Sequence, residues 1–154
     1  MLDGLESVRW DLEVQPPANA KDEVGASLRA LAVASPDTSQ EAYSRMLYAL
    51  GNNHAGTYYP VALAAVPFLG AILRGGGPTA RLRTLDVLVD LIGSFAPEPG
   101  FEIVETPSGL RLLRDALKEK VLELATQIER LKVDASSAEE AKLAQDLLSL
   151  LYEQ

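Results

Sequence analysis

The stretch GNNHAGTYYP, residues 51–60, gathers His54, two asparagines, a threonine and the tyrosines Tyr58 and Tyr59 into ten positions. Imidazole is a common general base and metal ligand near neutral pH, so proton transfer or coordination would be sought here first. His54 is the chain's single histidine, and there is no cysteine. That composition excludes a zinc triad, thiolate metal sites and cysteine nucleophiles. No G-x-S-x-G elbow nominates a serine to stand beside His54. The neighbours have the chemistry of a turn instead: Gly51, Asn52, Asn53 and Gly56 tolerate left-handed backbone, and Thr57 can cap a following helix. Tyr58 and Tyr59 offer apolar rings with polar tips, which suit a hinge or a contact surface. His54, Tyr58 and Tyr59 are therefore read as hinge residues and partner contacts.

Two pairs of carboxylates are the next candidates. Glu102 and Glu105 lie in a Pro- and Gly-rich stretch, and Asp86 and Asp90 are spaced one helical turn apart. Paired acids hydrolyse glycosides or bind metals only when held at a defined separation in a cleft. Calcium-loop spacing is missing, so both pairs read as solvated faces. Arg74, Arg81 and Arg83 surround RGGGP, which lacks the Lys-Ser/Thr of a phosphate-binding loop and reads as a turn. The expectation is no catalytic residue, no cofactor and no bound metal.

The elements that would carry these residues are mostly helices. Val24, Leu28 and Leu31 form one stripe, Tyr43, Met46, Leu47 and Leu50 a second, and Leu63, Val66, Leu69 and Leu73 a third. Pro67 falls inside the third stripe and should kink that helix without ending it, because the stripe resumes in phase. Leu82, Leu85, Leu88, Val89 and Ile92 form a fourth face. Leu110, Leu113, Leu117, Val121, Leu124, Ile128 and Leu131 predict a fifth helix of about six turns, with Ser108 as its cap. Ser137 and Glu140 form a capping box before a last helix bearing Leu143, Leu147, Leu150 and Leu151. Residues 94–109 are the one long break, although FEIVE alternates with period two and suits a short extended segment.

These spans pair into three hairpins, 21–34 with 39–50, 58–74 with 79–94, and 110–131 with 137–152. The expected fold is one all-α domain over residues 1–154, an α-α superhelix of HEAT or armadillo type. Residues 1–20 would lay Leu5, Val8 and Trp10 over the first pair as a cap, and 94–109 would be a long inter-repeat loop.

Composition narrows the function. At 154 residues, 47% hydrophobic and 23% charged, the chain suits an ordered globular domain. A net charge of -8 argues against a nucleic-acid partner, which rewards clustered Lys and Arg. The acidic start MLDGLESVRWDLEV lacks the apolar core of a signal peptide, and the longest apolar run, Val61 to Leu73, is too short for a membrane span. With no cysteine, a cytoplasmic location is expected.

Trp10, VGASLRAL (residues 24–31) and LYALGNNHAGTYYPVALAAVPFL (residues 47–69) together resemble a family of bacterial HEAT-like helical-repeat proteins. That family carries the block GNxxHxGTxYxxAxxAVPFL, and the resemblance covers roughly residues 5–95. It implies an α-α superhelix and a protein-binding role, and it brings no catalytic residues with it. The resulting expectation is a non-catalytic protein of immunity type, occluding a basic toxin domain through its acidic surface and the 94–109 loop. Contacts are expected from His54, Tyr58, Tyr59, Glu98, Glu102 and Glu105. The alternative is a scaffolding adaptor holding a peptide or helix of another complex. The long fifth helix also offers a face for a homodimer.

Overall fold

A computed structural model describes residues 1–153. Two short 3-10 turns, Leu5–Ser7 and Trp10–Leu12, open the chain. Helices α1 (Glu23–Ala32) and α2 (Ser39–Leu50) follow, then strands β1 (Gly51–Asn52) and β2 (Thr57–Tyr58). Helices α3 (Val61–Gly75) and α4 (Pro78–Val89) come next, and α4 widens into a π turn over Asp90–Ser94. Strands β3 (Ala96–Pro97), β4 (Ile103–Thr106) and β5 (Gly109–Leu112) precede helices α5 (Leu113–Leu122), α6 (Ala125–Val133) and α7 (Ala138–Tyr152).

The amphipathic stripes account for the core. Val24, Leu28, Leu31, Met46, Leu50, Val66, Leu69, Leu85 and Leu88 are buried in one cluster that continues through Leu117, Val121, Ile128, Leu147 and Leu151. Helix α4 touches α1, α2, α3 and α7, which makes it the axis of the packing. Helix α3 runs unbroken past Pro67, which removes one N–H from its ladder. Leu5 and Trp10 reach the same cluster from the N-terminus, with the Trp10 ring tilted 6.0 Å from Phe68.

One clamp fixes the far end of the bundle. Arg81 donates to Glu140 (3.0 Å), to the Gly76 carbonyl (2.8 Å) and to Ser136 (2.6 Å). Glu140 also accepts from the Ser136 N–H, while its own N–H donates to Ser137 Oγ at 3.1 Å. The Ser137 cap expected from sequence is therefore present. Both charges of the pair are satisfied by geometry that joins the α3–α4 turn to the start of α7.

The all-α superhelix does not hold. The described residues contain seven α-helices together with two small sheets, 61% helical and 9% strand, so the fold is mixed. In the first sheet β1 pairs antiparallel with β2, and β2 pairs parallel with β3. In the second, β4 pairs antiparallel with β5, Ile103 facing Leu112 and Glu105 facing Leu110. Each departure has a local cause. After Leu50 the chain turns back so closely that a Cβ on Gly51 would sit 2.0 Å from the Thr57 carbonyl oxygen. Thr57 consequently lies in a strand, and α3 starts at Val61. Further on, Pro107 and Ser108 form a two-residue turn ahead of Gly109, whose φ of 104° is natural for glycine. Leu110 and Leu112 then belong to a returning strand, and Ser108 caps no helix. The fifth helix is also divided: Glu123 and Leu124 bond back three residues, to Lys120 and Val121, which resets the phase between α5 and α6.

Candidate functional site

The 51–60 segment is built around its backbone. Asn52 accepts from Ala55 N through its side chain (3.1 Å) and from Gly56 N through its carbonyl (2.9 Å), closing the turn that carries His54. His54 itself is exposed at the tip. Ala96 N donates to the Gly56 carbonyl (3.0 Å) and Glu98 N to the Tyr58 carbonyl (2.8 Å), so β3 locks the hairpin in place. Thr57 Oγ1 adds a hydrogen bond to the Glu98 carboxylate.

The two tyrosines part company here. Tyr58 is 1% exposed, and burial pushes its hydroxyl up to about 12. It borders a cavity of about 300 Å³ with Ser94, Phe95, Arg114, Lys118 and Leu150. Lys118 there donates to the Glu153 carbonyl (2.6 Å) at the end of α7, a favourable place for a cation. Tyr59 is half-buried and packs its ring 5.0 Å from Phe101, and burial raises its hydroxyl as well. Tyr58 is thus a core residue. Tyr59 and Glu98 border a shallow groove with Tyr48 and Asn52.

Asp86 and Asp90 do not form an exposed pair. Tyr43 donates its hydroxyl to Asp90, Arg83 bonds Asp86 at 3.1 Å, and the Arg83 guanidinium lies 5.6 Å from the Tyr43 ring centroid. Burial raises the Asp86 carboxyl, with Arg83 opposing the rise. Among the described residues, no group of three or more His, Asp or Glu side chains converges as a metal would require.

Glu102 and Glu105 sit on the second sheet. Glu102 is exposed and accepts from Gly100 N at 2.7 Å, and Glu105 projects from β4. Beside Glu105 lies a groove of about 700 Å³. Its apolar lining includes Val14, Pro60, Leu63, Ala64, Phe101 and Ala116. Its charged lining is four carboxylates, Glu13, Glu105, Glu119 and Glu123, against two cations, Arg111 and Lys120. Both cations are engaged, Arg111 with Glu119 and Lys120 with Glu123 at 3.7 Å. Glu13 is half-buried, and burial alone raises its carboxyl.

Of the three acids singled out from the sequence, only Glu105 lines this groove; Glu98 borders the groove beside Tyr59 and Glu102 lines neither, while Glu13, Leu110 and Leu112 were not singled out as site residues. A usable signal existed for the leucines. T-P-S-G at 106–109 between FEIV and LRL is a turn signature flanked by period-two segments, which is how a hairpin reads.

Comparison of the chain with protein-family models, with curated proteins and with solved structures finds no match. No helix is long and apolar enough to cross a membrane among the described residues. The site is therefore argued from its own geometry.

Proposed function

We propose that this chain is a non-catalytic protein-binding module that masks a basic partner, most concretely an immunity-type protein covering the active cleft of a cognate toxin. The observation that carries this reading is the outer face of the β4–β5 ribbon. Ile103, Leu110 and Leu112 are 61%, 76% and 54% exposed there, beside Glu105. Single exposed leucines are ordinary on a surface, whereas three large apolar groups on one ribbon face form a patch that a partner would cover. The net charge of -8 adds long-range attraction toward a basic cleft and speeds encounter. Tyr59, Glu98 and His54 supply polar contacts on the neighbouring hairpin.

A second reading, an adaptor that holds a segment of another complex, is favoured by the apolar groove beside the ribbon. Co-expression of the tagged chain with the products of neighbouring genes tests the proposal. The expected result is one neighbour retained as a stable complex, with the toxicity of that neighbour suppressed. Retention of a non-toxic neighbour favours the adaptor, and retention of none overturns both readings.

A further inference from the structure

The groove runs along β4. Residues Ile103 to Ser108 all line it, while β5 contributes Arg111 alone. The edge of β4 that faces away from β5 therefore borders the groove. The hydrogen-bonding phase of that edge follows from one contact. Leu113 N donates to the Glu102 carbonyl at 2.7 Å, so Glu102 and Leu113 form a hydrogen-bonded pair. With the observed register, Val104 with Arg111 and Thr106 with Gly109 are hydrogen-bonded pairs too. Ile103 and Glu105 then belong to the alternate pairs, and their N–H and C=O groups point outward from the ribbon. An open edge of this kind is a template for an added strand.

The groove also selects what could be added. Its floor is apolar, from Leu63, Ala64, Phe101 and Ala116. Its two cations are already paired, which leaves Glu13 and Glu105 without a cationic partner among the described residues. A carboxylate that loses water without gaining a counter-charge is destabilised, and a cation brought by a ligand relieves that. A second copy of this chain is the wrong occupant for the same reason. Its own ribbon would bring Glu102 and Glu105 to the shared edge, and each copy carries a net charge of -8.

We infer that the β4 edge takes an extended segment of a partner protein as a third strand, with a Lys or Arg of that segment set against Glu13 and Glu105. Apolar residues on either side of the cation fill the groove. This rests on the protein-binding reading above and specifies where and how that binding occurs.

The test pans a phage-displayed library of random dodecapeptides against the immobilised full chain. Recovered peptides are then measured by fluorescence anisotropy against the chain and against its Glu13→Gln/Glu105→Gln double variant. Thermal melting checks that the variant remains folded. The expected peptides carry Lys or Arg flanked by apolar residues and bind the double variant about tenfold or more weakly. Binding also slows amide exchange at Ile103 and Glu105, a backbone signature that loose electrostatic attraction does not produce. Peptides that bind both proteins equally, or that leave those two amides unprotected, overturn the inference. So does a chain that is dimeric without peptide and already protected at Ile103 and Glu105, since the edge would then belong to a second copy. The two levels separate cleanly. A neighbouring gene product retained equally by the chain and its double variant removes the groove and leaves the protein-binding reading standing. Selective peptides together with no retained neighbour leave the peptide site in the groove standing and remove the reading that its partner is the product of a neighbouring gene.

Discussion

Two ribbons of similar design meet opposite fates in this protein. Strands β1 and β2 form a hairpin whose tip at His54 is exposed but whose β2 edge is paired with β3 and whose Tyr58 is buried. Strands β4 and β5 form a hairpin that turns one face to solvent with Ile103, Leu110 and Leu112 on it. The first buries the Tyr58 side chain and pairs β2 on both of its edges. The second leaves both an apolar face and a strand edge open. Buried ribbons add stability, whereas an open one adds a surface that water disfavours and a partner can use. The contrast separates a part of the chain that holds the fold from the part proposed above to carry recognition.

The largest expected effect tests the buried ribbon. Tyr58→Ala leaves a cavity among β2, the π turn and α7, and should cost about 3–5 kcal/mol in chemical denaturation. A loss below about 1 kcal/mol would mean that the ribbon is not an integral part of the core.

Gly51→Ala comes next. The new methyl would meet backbone atoms of Thr57 and Tyr58 at 2.0 and 2.6 Å, which cannot rotate away. A cost of about 3 kcal/mol is expected, at the upper end for overpacking. Gly109→Ala in the open ribbon meets no atom within 4 Å and pays only for its positive φ, about 1 kcal/mol. Equal losses at the two glycines would erase the contrast.

A pH measurement follows. The Tyr58 hydroxyl titrates near 10 when unfolded and at about 12 when folded. The folded pKa is the higher, so the stability this group contributes is complete below pH 10 and disappears as pH rises toward 12. The difference amounts to about 2–3 kcal/mol. Denaturation midpoints at pH 9 and pH 11 should fall less in Tyr58→Phe than in the parent chain. A fall of the same size in both would show that Tyr58 is hydrated after all.

The smallest stability change is expected on the open ribbon. Leu110→Ser and Leu112→Ser should each shift unfolding by no more than about 0.5 kcal/mol, because both side chains are already wet. Together they should reduce retention on a hydrophobic-interaction column. A large destabilisation would mean that this face is covered within the chain.

How much of this was legible depends on the length over which a pattern repeats. Helices α1, α2, α3, α4 and α7 stand near their expected places because each spreads its stripe over two turns or more, which a sliding periodicity detects. The two-residue strands β1, β2 and β3 are too short to have any period at all. Their signals resembled something else: Thr57 had the chemistry of a helix cap, yet its hydroxyl bonds Glu98, 41 residues away. Leu110 misled for a different reason. It lies three residues before Leu113 and two before Leu112, so it satisfies a helical and an extended pattern at once. The turn at Pro107 and Ser108 resolves that ambiguity in favour of the strand.

The groove was legible only at Glu105, which stood out with Glu98 and Glu102 by charge in a Pro-rich stretch; those two do not line it, and Glu13 looked like any exposed carboxylate near the N-terminus. The pairing of Val61 N with the Val14 carbonyl at 2.9 Å brings that segment against the start of α3, beside a ribbon formed some ninety residues later.

The sequence by itself determined which residues would be buried along most helices, that Ser137 would cap the last one, and that thiol and multi-histidine chemistry is absent. Those properties follow from local spacing and from composition. Tertiary structure alone decided that GNNHAGTYYP would become a ribbon with a third strand along its β2 edge and FEIVETPSGLRL one with an open edge. Both segments carry turn residues and β-compatible side chains, and neither could be distinguished locally. The difference arises from what packs beside them: β3 lies along the first, and nothing within the described chain lies along the outer edge of the second. Covering one and exposing the other is a long-range outcome of how α3, α5 and the N-terminal segment meet.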